Sequence, residues 1–193
     1  MPDDNGQHNA IIETDRLFIR KALSSQADIE MYHSLWTNPQ VMTNVGFPNG
    51  LKTSREKIAE QIADQSPSEY ESLLVVVLKD SATPVGECRL YRPDDKGISR
   101  TDVKLLPEHW GNAYGVEVKR GLLEYLFTHT DCVAVQGDPN KSNVASQKMQ
   151  EAVGGKRIGE DVYRFPEHMR DYTCDVHSYI YMVFRTDWEK RQS

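Results

Sequence analysis

The chain has 193 residues, of which 38% are apolar and 27% charged, so it is long and apolar enough for one domain with a hydrophobic core. Its formal net charge of −6 argues against a surface that follows nucleic-acid phosphates, but not against a basic protein partner. The longest apolar run, residues 73–78, is too short to span a membrane, and the polar residues 1–9 lack a signal-peptide core. We therefore expect a single domain over residues 1–193, with a loose tail at 1–9, in the cytoplasm and with no membrane or nucleic-acid partner.

The three cysteines, Cys88, Cys132 and Cys174, are widely separated and include no C-x-x-C pair. This pattern is more typical of reduced thiols than of a disulfide framework or a zinc site. Each lies in a strand-like segment, where burial is a commoner explanation than nucleophilic reactivity. The sequence predicts no metal site.

In the first half of the chain, residues 14–21 alternate in polarity and predict a first strand. A capping box at residues 25–28 predicts a helix, which Asn38 and the proline after it should end. A second box, at residues 53–56, predicts the start of another helix.

In the second half, β-branched and alternating runs predict strands, and two apolar periodicities of helical spacing predict helices. The expected strands are 72–79, 84–92, 99–106, a short one around 133–135, 157–164 and 176–185, and the helices cover 116–127 and 145–153. This order predicts an α/β sandwich around a mixed sheet of about seven strands and four helices.

The segment 110–117, WGNAYGVE, is the most informative part of the chain. It is a loop of small residues between an apolar strand and a helix. The first turn of a helix has unpaired N–H groups and a partial positive charge, so such a junction favours binding of an anion.

A second segment, DPNKSNVAS at residues 138–146, opens another helix-like run that ends at Gly154 and Gly155. Together the two segments resemble the acyl-CoA-binding core of the Gcn5-related N-acetyltransferase (GNAT) superfamily. The resemblance implies that the anion is the pyrophosphate of CoA. It also implies the GNAT fold, a mixed and mostly antiparallel sheet with one splayed strand pair.

The segments 14–20 and 35–42 resemble the N-terminal third of RimJ/RimL-type GNAT enzymes, and the match continues to residues 186–188. Enzymes of this branch acetylate the N-terminal amines of ribosomal proteins, and their relatives modify small amines. Dimers are common among them, which implies a possible homodimer.

The resemblance places CoA on the strand before the loop, on the loop itself and on the start of the next helix. The implied contacts are Val103, Lys104, Leu105, Leu106, Gly111, Asn112, Ala113, Tyr114, Gly115, Val116 and Asn143. Asn143 is also an ordinary helix N-cap. Lys119, Arg120 and Lys148 are within reach of the CoA 3′-phosphate on this reading, or are solvated helix charges.

One residue departs from the superfamily loop pattern Q/R-x-x-G-x-G/A, because Ala113 occupies the position of the middle glycine. If the backbone there has a positive φ, the alanine costs about 1–2 kcal/mol. If it is already helical, the alanine is harmless or favourable.

The reaction requires a neutral amine, so the acceptor ammonium must lose a proton, usually to a carboxylate. Two carboxylates on central strands, Asp102 and Glu87, are candidates for this base. Each is alternatively the partner of an ion pair with Arg89 or Arg100.

The departing thiolate needs a proton or a hydrogen bond. Many superfamily members use a tyrosine seven residues beyond the helix asparagine, but that position here is Gln150. Ser146 is a candidate hydroxyl near the sulfur, or an ordinary residue of the first helical turn. Positioning of the two substrates alone is the remaining explanation.

The sequence therefore predicts an acyl-CoA-dependent N-acyltransferase that uses acetyl-CoA and no metal. The amine of a protein N-terminus or a small molecule attacks directly in a ternary complex. Aromatic residues near the closing strands, Tyr163 and Phe165 among them, are candidates to line the acceptor pocket. The alternatives are another donor, such as succinyl-CoA, or a catalytically silent CoA-binding sensor or scaffold.

Overall fold

A computed structural model describes residues 9–192, so the predicted tail lies outside the described residues except for Asn9. Eight strands form one sheet in the order β1-β2-β3-β4-β5-β6-β8-β7. Their bounds are β1 Ala10–Glu13, β2 Leu17–Lys21, β3 Leu74–Leu78, β4 Pro84–Leu90, β5 Ile98–Leu105, β6 Ala134–Gly137, β7 Lys156–Tyr163 and β8 Val176–Phe184.

The only parallel neighbours among the described strands are β5 and β6, whose crossover contains a helix, and every other pair is antiparallel. The expected α/β architecture with a mixed, mostly antiparallel sheet is therefore confirmed.

Six α-helices lie on the two faces of the sheet: α1 Gln26–Thr37, α2 Pro39–Met42, α3 Arg55–Ala63, α4 Tyr114–His129, α5 Val144–Ala152 and α6 Arg185–Gln192. Of the first capping box, the N-cap is confirmed, because Ser25 Oγ accepts the N–H of Asp28. The Asp28 carboxylate does not return the bond and accepts from Arg20 and from the Leu23 N–H instead. The second box begins one residue later than predicted. Ser54, not Thr53, caps α3 by accepting the N–H of Lys57.

The sheet has a buried core on each face. On one face, α4 and α6 cover side chains of the central strands, including Val76, Cys88 and Leu105. On the other face, α1, α2 and α3 cover a second set that includes Val75 and Val77. Neighbouring residues of β3 thus enter opposite cores, which explains its uninterrupted apolar sequence.

The structure has one strand and two helices more than expected. β1 was not predicted because four residues give too little alternation, and it is irregular between Ala10 and Ile12. Asn38 ends α1 as predicted but also caps α2, whose first residue is Pro39. The final helix α6 is polar except for Trp188, which packs against Phe127 with ring centroids 5.9 Å apart.

Cys88 and Cys132 are free and buried, as predicted. Cys174 is free but exposed, in the loop before β8, so the prediction of burial was wrong for this residue. Among the described helices, none is long and apolar enough to cross a membrane.

Candidate active site

The two parallel strands β5 and β6 diverge along their length. Their register pairs Ile98 with Ala134 and ends at the pair Arg100 and Gln136. β5 continues to Leu105 while remaining paired with β4 on its other side. Residues 101–105 therefore face an opening beside β6, which we call the β5–β6 split.

The 110–115 loop follows β5 and leads into α4. Gly111 and Ala113 both have left-handed backbone conformations, with φ of 79° and 61°. No N–H of residues 111–116 has a hydrogen-bond acceptor within the described part of the chain. The loop thus presents free donors and the positive end of a 16-residue helix in one place.

Not every predicted backbone contact at the end of β5 is free. The indole of Trp110 donates to the carbonyl of Leu105 at 2.8 Å, and the N–H of Leu106 donates to the carbonyl of Val85 at 2.9 Å. Leu106 also lies beyond the strand and is buried. Val103 and the N–H of Leu105 remain as the predicted backbone contacts inside the β5–β6 split. The backbone of Lys104 points to β4 instead, because Lys104 lies opposite Glu87 in the same alternating set as the bonded pair Leu106 and Val85.

Residues near the start of β2 fix the position of the 110–115 loop and of the first turn of α4. Glu117, in the first turn of α4, accepts hydrogen bonds from Thr14 Oγ1 at 2.6 Å and from the Arg16 N–H at 2.8 Å. The Arg16 guanidinium binds Glu117 as well, donates to the carbonyl of Asn112 at 3.2 Å, and lies over the ring of Tyr114. Burial acts to raise the Glu117 pKa, but the Thr14 and Arg16 hydrogen bonds outweigh it and lower the pKa.

The two candidate bases share one partly buried cation, Lys104, on the face of α1. Lys104 Nζ forms an ion pair with Asp102 and another with Glu87, the latter at 3.0 Å. Glu87 also accepts the Trp36 indole N–H at 3.1 Å, and its Oε2 has no partner. Its side chain is 2% exposed and that of Asp102 is 39% exposed, so only Asp102 is open to an incoming molecule.

The Asp102 carboxylate and the Lys104 ammonium each stabilise the charged form of the other. Burial acts to raise the pKa of Asp102, but the adjacent Lys104 ammonium lowers it, so Asp102 is ionised at neutral pH. Burial favours the neutral amine of Lys104, but the Asp102 and Glu87 carboxylates raise its pKa.

On α5, Asn143 is confirmed as an N-cap, because its Oδ1 accepts the N–H of Ser146 at 3.0 Å. That bond uses the carbonyl oxygen only, so the amide Nδ2 is available as a donor. Ser146 is half-buried in the first turn of the helix. Gln150 is 5% exposed and lies against Gly137, where an added Cβ would be 2.6 Å from its Nε2.

Lys119 is the largest departure from expectation at this site. It was assigned to the helix surface or the CoA 3′-phosphate, yet its side chain is 1% exposed and donates to the hydroxyl of Thr101. Burial lowers the Lys119 pKa to about 8, although Asp102 and Asp138 act to raise it. An exposed lysine and a buried one look alike in a single sequence.

These features agree with an independent comparison. A family model for the acetyltransferase (GNAT) domain matches residues 16–156, well over half of the chain. The chain belongs to the GNAT acetyltransferase family.

Individual relatives support the same assignment. An uncharacterized N-acetyltransferase p20 of Bacillus licheniformis is 22% identical over 173 residues, covering 82% of this chain and 96% of the relative. A GNAT acetyltransferase from Bacillus anthracis has the same fold, with a TM-score of 0.73, 19% identity and coverage of 91% and 98% of the two chains. The aminoglycoside acetyltransferase AAC(6')-Ib, solved with coenzyme A, gives a TM-score of 0.67, 19% identity and coverage of 92% and 99%.

The protein is thus an N-acetyltransferase of the GNAT family. The structure brings the predicted loop, the end of β5 and the start of α5 to the two sides of one opening. It separates the candidate bases from the loop by placing Asp102 and Glu87 on the α1 face. Among the described residues, no group of three or more His, Cys, Asp or Glu side chains is placed to hold a metal ion.

The left-handed conformation of Ala113 leads to a stability prediction. We expect Ala113→Gly to raise the free energy of unfolding by roughly 0.5–1 kcal/mol, because removal of the Cβ strain exceeds the entropic cost of glycine. Urea unfolding would measure it. Gly111→Ala is the matched control and should destabilise, since φ there is 79°. Destabilisation by Ala113→Gly would contradict the strain.

The buried charge of Lys119 leads to a second stability prediction. Its folded-state pKa of about 8 lies below the ordinary value of 10.5, so the folded protein carries an unfavourable charge below pH 8. We expect Lys119→Met to raise the free energy of unfolding by roughly 2–3 kcal/mol near pH 7. This gain should shrink as pH rises from about 8 to 10.5, because the wild-type lysine is neutral in both states only above 10.5.

Chemical unfolding at several pH values would test this. Lys57→Met, which removes an exposed lysine from α3, is the control and should change stability little at any pH. A pH-independent effect of Lys119→Met would show that the buried lysine carries no charge cost.

Proposed function

We propose that this chain transfers an acetyl group from acetyl-CoA to a primary amine by direct attack in a ternary complex. The observation that carries the proposal is the β5–β6 split with the 110–115 loop at its mouth. Free N–H groups and a helix N-terminus suit a diphosphate, and the unpaired edge of β5 suits the amide groups of a pantetheine arm.

The donor is proposed to lie along β5 with its thioester near Asp102 and Val103. In this pose residues 111–116 bind the pyrophosphate, and the backbone groups of Val103 with the N–H of Leu105 hold the pantetheine. Asn143 Nδ2 supplies a further donor from α5, because capping uses only its oxygen. AAC(6')-Ib, a structural neighbour, has been solved with coenzyme A and with acetyl-CoA.

Asp102 is the proposed general base. It is ionised and open to solvent, whereas Glu87 is enclosed by Trp36 and Lys104. Glu87 is better suited to fixing Lys104, and through it the orientation of Asp102. A partly exposed carboxylate beside the thioester can take the proton of an acceptor ammonium directly or through one water.

The proposed acceptor enters from the α1 face, near the loop between β7 and β8. Phe165 of this loop packs edge to face on Phe47 and on Tyr163, with ring centroids 5.2 and 4.9 Å apart. The loop also joins the α2 region through the Cys174 N–H, which donates to the carbonyl of Gly46. These contacts support the aromatic acceptor wall expected from the sequence.

Two acceptor classes follow from the relatives. The RimJ/RimL-like sequence segments favour a protein N-terminus. The neighbour AAC(6')-Ib, solved with ribostamycin and with kanamycin, favours a small amine. The acidic net charge of −6 suits either, because both acceptors are cationic.

The proposal extends to the chain as a whole. Residues 1–193 act as a single domain in the cytoplasm, supported by one continuous sheet and by free cysteines. A homodimer is supported by the sheet edge, where most of β7 is exposed and its outer side has no partner strand among the described residues.

The decisive experiment measures CoA binding and CoA release separately. Calorimetry should show one site for CoA and acetyl-CoA. Release of free thiol, detected with a chromogenic disulfide, should then depend on an amine from a panel of peptide N-termini, polyamines and aminoglycosides. Binding without release on any amine would favour a silent sensor, and faster release from succinyl-CoA would reassign the donor.

The two carboxylates give a matched pair of variants. We expect Asp102→Asn to lower kcat about a hundredfold, the typical contribution of a general base. Glu87→Gln should lower kcat less but cost about 3 kcal/mol of stability, because it unbalances a buried ion pair. Initial rates and urea unfolding of both variants would test this.

The pH dependence has a definite sign. The lowered pKa of Asp102 keeps it ionised at pH values above its ordinary pKa of about 3.9. Any loss of wild-type activity between neutral pH and pH 5 should therefore reflect protonation of the acceptor amine and shift with the amine used. A loss in Glu87→Gln that exceeds the loss in Asp102→Asn would reverse the two roles.

A further inference from the structure

Two buried polar side chains lie at the apex of the β5–β6 split. The last strand pair joins Arg100 to Gln136, so Thr101 and Gly137 occupy the next, unpaired level on the two strands. Lys119 of α4 donates to Thr101, and Gln150 of α5 lies against Gly137. In a parallel pair, residues at one level point to the same face, so both side chains meet the split at the same depth.

Lys119 has more hydrogen-bonding capacity than the protein uses. An ammonium has three N–H donors, and within the described residues only the neutral Thr101 hydroxyl accepts one of them. No carboxylate of the described residues forms an ion pair with it. A buried cation without an anion costs free energy. Such a cation is expected where a negative charge arrives or develops during function.

Two atoms gain negative charge inside the split during acyl transfer, the carbonyl oxygen of the thioester in the tetrahedral intermediate and the sulfur of the departing CoA. The oxygen returns to a neutral carbonyl when the C–S bond breaks, so the sulfur is the atom that needs a proton. On the proposed pose the thioester lies beside Asp102 and Val103, one to two residues from Thr101. Gln150 occupies the position of the superfamily tyrosine and has no acidic proton to give. Of the two side chains at the apex, Lys119 is the one that can supply a proton.

We propose that Lys119 is the general acid of the reaction, donating its Nζ proton to the sulfur of CoA as the thioester breaks. This inference rests on the proposed function. It assigns to α4 the role that the sequence had offered to Ser146 of α5, a hydroxyl in the first helical turn beside the N-cap.

The step balances as follows. The acceptor ammonium first passes one proton through Asp102 to water, which leaves a neutral amine and an ionised Asp102. The amine nitrogen then forms a bond to the thioester carbon, and the second proton that it loses passes to the Asp102 carboxylate. The C–S bond breaks with its electron pair on sulfur, and the Nζ proton of Lys119 completes the thiol. The products are an amide and neutral CoA, and proton exchange with water then restores charged Lys119 and ionised Asp102.

The acidity of Lys119 suits this task. Burial lowers its pKa to about 8, close to that of an ordinary thiol at about 8.5, so proton transfer to the thiolate is nearly balanced. The charged groups that act on it are Asp102 on β5 and Asp138 just after β6, and both favour the ammonium. Gln150, which faces the split from α5, is uncharged.

The test is the titration of the thiol of bound CoA, followed by the ultraviolet absorbance of the thiolate. An ammonium beside the sulfur should lower the thiol pKa, so the wild-type complex should form thiolate at a lower pH than free CoA. Lys119→Met should raise the pKa of the bound thiol by about one unit, a tenfold change in the ionisation constant. Lys57→Met, the exposed lysine control, should match the wild type.

Kinetics give a second readout. Wild-type kcat should fall above about pH 8 as Lys119 loses its proton, and Lys119→Met should lower kcat about a hundredfold and lack that fall. Identical thiol titrations, or an unchanged kcat, in Lys119→Met would overturn the inference. Failure of every variant and the wild type to bind CoA would overturn the proposed function instead, so the two failures are distinguishable.

Discussion

The site depends on one constraint, the loss of hydrogen bonding between β5 and β6 after three paired residues. If β5 and β6 stayed hydrogen-bonded along their whole length, no strand edge would be open to a pantetheine arm and no gap would remain for a thioester. The two strands stay apart because each is held by its other neighbour. β5 stays hydrogen-bonded to β4, and the end of β6 stays hydrogen-bonded to β8. Gln150 and Lys119 pack where the strands begin to part.

Much of the fold and of the candidate site could be predicted from the sequence, because these features follow local rules. Glycines and small residues at 111–115 signalled the loop, Asn143 signalled a helix start, and the apolar run of β3 signalled a strand buried on both faces. The ion pair between Lys104 and Glu87 and the contact between Trp36 and Glu87 could not be predicted from the sequence. They join residues 17 and 51 positions apart, and no periodicity reports such pairings.

The errors have physical causes of the same kind. The four residues of β1 become a strand only because β2 lies beside them, and α6 has a single buried anchor, Trp188. Lys119 was placed at the surface because lysine is almost never fully buried. Its burial breaks a general rule, and residues perturbed in this way are often found at functional sites.

The contact between Arg16 and Glu117 has a consequence for the charge that CoA would meet. A free carboxylate one turn into α4 would compete with a diphosphate for the positive end of the helix and would repel it. Arg16 and Thr14 draw the Glu117 carboxylate back toward the first hairpin and neutralise it. The N-terminal strands therefore keep the positive end of α4 free of a competing carboxylate and open to an anion.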